Sequence, residues 1–245
     1  RIGFGASGRC GGLIGSGQRW DAVEMESRFG LETAQAFWQF AEAAKAEIRD
    51  RVANHAIDCD LQYGQLEGIH KRRYKGWPAE YAEALAERFD YPHVRALDRE
   101  ETRELVATDD FLESFYDSQA MTVHPLNYAL GIARAARDAG VRIFENSRVT
   151  GYSQADPTTV WTADGAVTAS FIVLACNGYL GDLENRVAGK IMPINTFMVA
   201  TEPLGEQRAT ELIAGRFGIH DTRFVVNYFR LSDDYRLLFG GGENY

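Results

Sequence analysis

The stretch GFGASGRCGG at residues 3–12 raises the first chemical question. Gly3, Gly5 and Gly8 satisfy the Gly-x-Gly-x-x-Gly spelling of a dinucleotide-binding turn, in which backbone approaches a pyrophosphate and a helix N-terminus faces its charge. That chemistry needs a strand running into the turn and a helix starting on it. Only two residues precede Gly3, and Arg9, Cys10, Gly11 and Gly12 would make a poor first helical turn. A loop whose backbone lies close to a flat or anionic ligand, with Arg9 supplying charge, suits these residues better. A flexible tail is the bland alternative. Other templates fail on spacing. Ser7 and Ser16 each lack one glycine of a Gly-x-Ser-x-Gly elbow, and Gly189-Lys190 is followed by Ile191 rather than Ser or Thr. His55, Asp58, Cys59 and Asp60 carry metal-ligating groups, but no paired Cys-x-x-Cys or His-x-x-x-His supports them, so no metal is expected.

The elements that would position this loop are readable from periodicity. After Asp21, Phe37, Phe40, Ala41, Ala44, Ile48 and Val52 recur at helical spacing to about Asn54, with Gly30 marking a break from a shorter helix before it. Trp38 is expected at the boundary of that face. Residues 57–69 alternate like strands, 78–89 read as a helix with Pro in its first turn, and Asp98 caps a short helix at 99–106. A strand is expected at about 94–96, before that cap, and another within FLESFYDSQAMTVHP. Pro125 to Gly140 carries both a start and a stop signal for a helix. Beyond it, VRIFENSRVTGYSQ reads as a strand, TVWTADGAVTAS as a hairpin turning at Ala163-Asp164-Gly165, and FIVLAC as a buried parallel strand. The last third, IMPINTFMVATEP, RFVVNYFRLS and YRLLFGGG, predicts antiparallel strands, the latter two joined at Asp233-Asp234.

This alternation predicts two interleaved units of mixed class, α/β plus α+β. A net charge of -9 opposes a nucleic-acid partner, and the KRRYK cluster at 71–75 reads as a solvated turn. No apolar run approaches the roughly 18 residues of a membrane helix. Three widely spaced cysteines, Cys10, Cys59 and Cys176, fit a reducing, cytoplasmic compartment, with Cys59 buried and inert.

With these residues in view, the chain resembles a known family. GFGASGRCGG is similar to the second glycine-rich loop of FAD-dependent amine and amino-acid oxidoreductases of the D-amino-acid oxidase, glycine oxidase and sarcosine oxidase type, most of all the gamma-glutamylputrescine oxidoreductase-like branch. HPLNYALGIARAARDAGVRIFENSRV, IVLACNGYLG, and MPINTFMVATEPL with NYFRLSDDYRLLFGGG match in order. The resemblance implies a Rossmann-like FAD/NAD(P)-binding domain (1–55 and 120–185) interleaved with a mixed or antiparallel-sheet substrate domain (56–119 and 186–245). It also implies that the phosphate-binding Gly-x-Gly-x-x-Gly unit lies ahead of residue 1 and that a C-terminal portion follows Tyr245. This stretch alone is therefore expected neither to hold FAD as the family does nor to be active.

By the same resemblance, Ser7, Gly8, Arg9, Cys10, Gly11 and Gly12 run along the flavin, Val149 pairs with adenine through its backbone, and Ala175, Cys176 and Gly178 pass near phosphates and ribose. Cys10 and Leu13 stand where the family has Asn and Gln, which removes two polar side chains. The implied reaction is oxidation of a carbon–nitrogen bond of a small amine or amino acid, with no catalytic base identified. Tyr228 and Arg230, two apart on a strand, share a face. They are candidate substrate contacts, with Arg230 on a carboxylate, or an exposed edge-strand pair. A nicotinamide-dependent dehydrogenase and a non-catalytic truncated chain are the alternatives.

Overall fold

The computed structural model describes residues 1–244, so Tyr245, the last residue of the expected substrate domain, lies outside the described residues. In chain order the strands and helices are β1 (Leu13–Ile14), α1 (Ala22–Phe29), α2 (Leu31–Asn54), β2 (Gln62–Ile69), α3 (Trp77–Phe89), β3 (Val94–Leu97), α4 (Arg99–Leu105), β4 (Glu113–Thr122) and α5 (Pro125–Asp138). They continue with β5 (Val149–Tyr152), β6 (Thr158–Thr162), β7 (Ala166–Ala169), α6 (Asn185–Ala188), β8 (Asn195–Ala200), α7 (Glu206–Leu212), β9 (Gly218–Asp221), β10 (Tyr228–Leu231) and β11 (Leu237–Asn244). Local chemistry sets the helix ends. Asp21 accepts from the Glu24 amide at 2.7 Å, and Gly30, at φ +82°, ends α1 and begins α2. Asp98 and Glu101 close a reciprocal capping box on α4.

An eight-stranded sheet forms the body, ordered β1-β4-β2-β9-β10-β11-β8, with β3 also paired to β4. Every pairing is antiparallel except β2 with β9, which is parallel and joins the two halves. Side chains alternate across this sheet with period two. Leu66, Ile219 and Leu231 point to one face, where they pack with Val106 after α4 and with Ala209 and Ile213 of α7 and its end. Gln65, Glu67, Phe115, Asp117 and His220 line a cavity on the other. A second cluster, built from Met25, Ala34, Trp38, Tyr81, Leu85, Phe89 and Tyr91, binds α1, α2 and α3 together.

Three expectations are corrected. The buried face of α2 is Ala34, Trp38 and Lys45, while Phe37 and Phe40 are exposed. Trp38 is a core residue, 5.0 Å from the Tyr91 ring and 5.7 Å from Phe89, and these contacts set the rotation of the helix. FIVLAC is not a buried strand: Phe171 and Val173 are 88% and 85% exposed, and residues 171–176 have no ladder. VRIFENSRVTGYSQ forms a strand only at β5. A strand exists where a neighbour completes its ladder, and among the described residues none lies beside 141–148 or 171–176. The hairpin is as expected: β5, β6 and β7 form an antiparallel sheet turning between Thr162 and Ala166.

Candidate functional site

The glycine-rich loop is held in place by close backbone contacts rather than by side-chain bulk. Residues 6–8 form one 3-10 turn that packs against the first turn of α5, where a side chain at Gly3 would meet Leu126 at 2.6 Å. The next regular element after this turn is the strand β1 and not a helix, so no helix N-terminus starts on Gly3, Gly5 and Gly8 as the dinucleotide fingerprint requires. Gly12, at φ +73°, accepts from the Val123 amide at 2.8 Å, and a Cβ there would run into the Val123 carbonyl. Only glycine fits that approach.

Tyr228 and Arg230 share a face, as their spacing predicts, and both reach this loop. A Cβ on Gly11 would lie 2.7 Å from the Tyr228 ring. Arg230 is 2% exposed. Its Nε donates to the Gly11 carbonyl at 2.9 Å, Nη2 to Val123 at 3.0 Å and Nη1 to Leu231 at 3.3 Å. The sequence offers Arg230 as a contact to a substrate carboxylate or as part of an exposed edge pair, and its burial excludes the exposed edge. It is buried under the loop and clamps it to the end of β4.

Three connected hollows lie on this face of the sheet. The first, of about 620 Å³, is lined by Ala6, Arg9, Cys10, Asn177, Gly178, Tyr179, residues 191–198 and Tyr228. It brings four expected site residues, Arg9, Cys10, Gly178 and Tyr228, to one place from three distant segments. Ser7, Gly8, Gly11 and Gly12 belong to the same loop but do not line it, and neither do Val149, Ala175 and Cys176. The second hollow shares Thr196 and Tyr228 with the first, and it is basic, with Arg19, Lys71, Arg73 and Arg223 on its wall. The third is a cavity of about 650 Å³ that shares Arg19, Tyr74, Thr222, Arg223 and Val226 with the second. Cavities of this size accept a small-molecule ligand or a flavin ring system. The partly exposed loop backbone beside Arg9 suits a planar group with an anionic tail.

The third cavity has an unusual charge state. Burial, with Asp21 and Asp221 nearby, pushes the Glu67 carboxyl up to about 8. Burial lowers His220 to about 4, against a smaller opposing pull from Asp221. Both groups are therefore uncharged near neutrality, with Nδ1 of His220 3.8 Å from Oε2 of Glu67. Nearby, Asp117 accepts from Ser16 at 2.5 Å and from Tyr91 at 2.8 Å, and Lys45 donates to both of those hydroxyls. This buried network fastens residue 16 to α2. Sequence reading misses Glu67, His220 and Asp117. The period-two alternation of β2 is the available signal, since it places Glu67 and Gln65 opposite Leu66.

Among the described residues no group of three or more His, Cys, Asp or Glu side chains is arranged for a metal ion, and no helix is long and apolar enough to cross a membrane. A family model described as DAO, FAD dependent oxidoreductase, matches residues 1–245. The chain belongs to this family of FAD-dependent oxidoreductases. It is 38% identical to the probable oxidoreductase OrdL of Rhizobium meliloti (strain 1021), over 100% of this chain and 57% of that protein. It is 36% identical to the gamma-glutamylputrescine oxidoreductase of Escherichia coli (strain K12), over 100% of this chain and 58% of that protein. The chain thus spans less than three-fifths of the length of these curated relatives. Its fold is similar to that of glycine oxidase from Geobacillus kaustophilus, with a TM-score of 0.69 at 18% identity, over 98% of this chain and 62% of the other. The mixed α/β fold is accordingly that of the family.

Proposed function

We propose that the whole protein is a cytoplasmic enzyme that oxidises the carbon–nitrogen bond of a small amine or amino acid, with a gamma-glutamylputrescine-like molecule as the leading substrate. The convergence of Arg9, Cys10, Gly178 and Tyr228 on one hollow carries this reading. In it, residues 1–55 and 120–185 contribute to the flavin domain, and 56–119 and 186–245 to the substrate domain. Bound FAD would supply the hydride acceptor for that oxidation.

The chain's own residues supply position and charge. Ser7, Gly8, Arg9, Cys10, Gly11 and Gly12 hold the flavin side of the cofactor, while Val149, Ala175, Cys176 and Gly178 serve its nucleotide side. Arg230 keeps the loop in register through the Gly11 carbonyl. Tyr228 orients the substrate at the edge of the first hollow. An amino-acid carboxylate pairs with Arg19, Lys71 or Arg73 in the second hollow, since Arg230 is engaged. His220, unprotonated at neutral pH, adds no positive charge against an incoming amine.

Anaerobic visible spectra of the full-length protein test the reading, using gamma-glutamylputrescine, sarcosine, glycine and D-amino acids. At least one of them is expected to bleach the flavin. A protein that carries flavin but is bleached by none of them would overturn it.

A further inference from the structure

One row of side chains crosses the sheet in register from the third cavity to the first hollow. Phe115 lies opposite Glu67, Glu67 beside His220, His220 opposite Tyr228, Tyr228 opposite Gly240, and Gly240 opposite Met198. Tyr228 and Met198 line the first hollow, while Phe115, Glu67 and His220 line the third cavity. Glu67 and Tyr228 are two strand spacings apart, about 10 Å.

Five carboxylates line the cavity, and four of them are committed. Asp21 caps α1, Glu24 pairs with Arg28, Asp117 accepts from Ser16 and Tyr91, and Asp221 holds Arg223 and Asn227. Glu67, with 20% of its side chain exposed, has no hydrogen-bond partner among the described residues. Its nearest charge-capable neighbour is His220 at 3.8 Å. Aromatic side chains share the cavity lining with it: Trp77 stacks on Tyr81 at 5.0 Å, and Phe115 lies 5.4 Å from Trp77 and 5.7 Å from Tyr81. A single unpaired carboxylate on the floor of an aromatic chamber is the chemistry that recognises an organic cation. The basic groups Arg19 and Arg223 are shared with the neighbouring hollow, and Arg223 is already paired with Asp221.

We infer that this chamber binds the distal ammonium of an extended substrate, such as an aminoalkyl chain of several methylenes, with Glu67 as its counter-ion and Trp77, Tyr81 and Phe115 as its walls. The inference rests on the amine-oxidation reading for the position of the other end of the molecule, but the cation site itself does not. A cation arriving there favours the ionised carboxylate, so binding below about pH 8 displaces the proton of Glu67.

The test uses the full-length flavoprotein and pentyltrimethylammonium, whose quaternary nitrogen has no lone pair to form an imine and so resists oxidation, followed by tryptophan fluorescence. Saturable binding is expected, weakened at least tenfold in Glu67→Gln and severalfold in Phe115→Leu, whereas hexanol binding changes less than twofold in either. Unchanged affinity in Glu67→Gln, or no saturable binding at all, overturns the inference. Thermal melts confirm that each variant is folded, and Phe115→Leu provides the same discrimination if Glu67→Gln is not. Anaerobic bleaching separates the two claims. Glu67-dependent cation binding in a protein that no amine bleaches sustains the chamber and refutes the oxidation reading. Bleaching by amines with no Glu67-dependent cation binding does the reverse.

Discussion

The two faces of β2 and β9 differ in purpose although their residues alternate along the same strands. On one face, Leu66 and Ile219 are fully buried and pack with α7. On the other, Glu67 and His220 face a cavity large enough for a ligand and, among the described residues, have only each other, at 3.8 Å, as ion-pair partners. The apolar face stabilises the fold through burial, at about 25 cal/mol per Å². The polar face costs stability, because burying carboxyl and imidazole groups without good partners is unfavourable. Such a cost is the usual mark of a surface retained for binding or chemistry.

The difference can be broken from the apolar side first. Leu66→Ala is expected to lower stability by about 2–5 kcal/mol, read by urea denaturation, because its neighbours cannot fully collapse into the space. Next is Arg230→Ala, which leaves the buried Gly11 and Val123 carbonyls without a donor. The expected loss is about 1–3 kcal/mol for each group, accompanied by a lower flavin-to-protein ratio in the full-length protein. Arg230→Lys should restore little, since an ammonium cannot reproduce the forked contact.

The smallest effect comes from the polar face and depends on pH. Glu67 is raised from 4.5 to about 8 in the folded chain, with Asp21, Asp221, His220, Arg19 and Arg223 around it. Its contribution to stability is therefore fully present below pH 4.5 and is lost as pH rises to about 8, because the unfolded chain ionises freely while the folded one resists. Glu67→Gln should melt higher than the parent at about pH 8.5 and nearly with it at about pH 4.5. A higher melting temperature at the acidic end would reverse the sign and remove the burial argument.

Much of this architecture is legible in the chain. The Asp98 cap, the Gly30 break, the Pro125 start and the hairpin at Asp164-Gly165 are decided by residues within a few positions, and each forms as read. Where partners decide, reading fails. Phe37 and Phe40 satisfy helical spacing as well as Trp38 does, yet the aromatic rings of α3 and Tyr91 select Trp38. FIVLAC has a strand's composition, but composition supplies no neighbouring ladder. At the site, the glycine-rich loop is visible as a loop, but the role of Arg230 depends on carbonyls distant in sequence. Glu67 looks like any polar residue on an alternating strand until β9 places His220 beside it.

The most direct test compares neighbouring residues on one strand in the full-length enzyme. For wild type, Leu66→Val and Glu67→Gln, the ratio of kcat/KM for 1,5-diaminopentane over pentylamine is measured beside the melting temperature at about pH 7. Glu67→Gln is predicted to collapse the ratio at least tenfold without lowering the melting temperature, and Leu66→Val to lower the melting temperature with the ratio unchanged. If the two substitutions move the same quantity in the same way, the division of labour between the faces of the sheet is wrong.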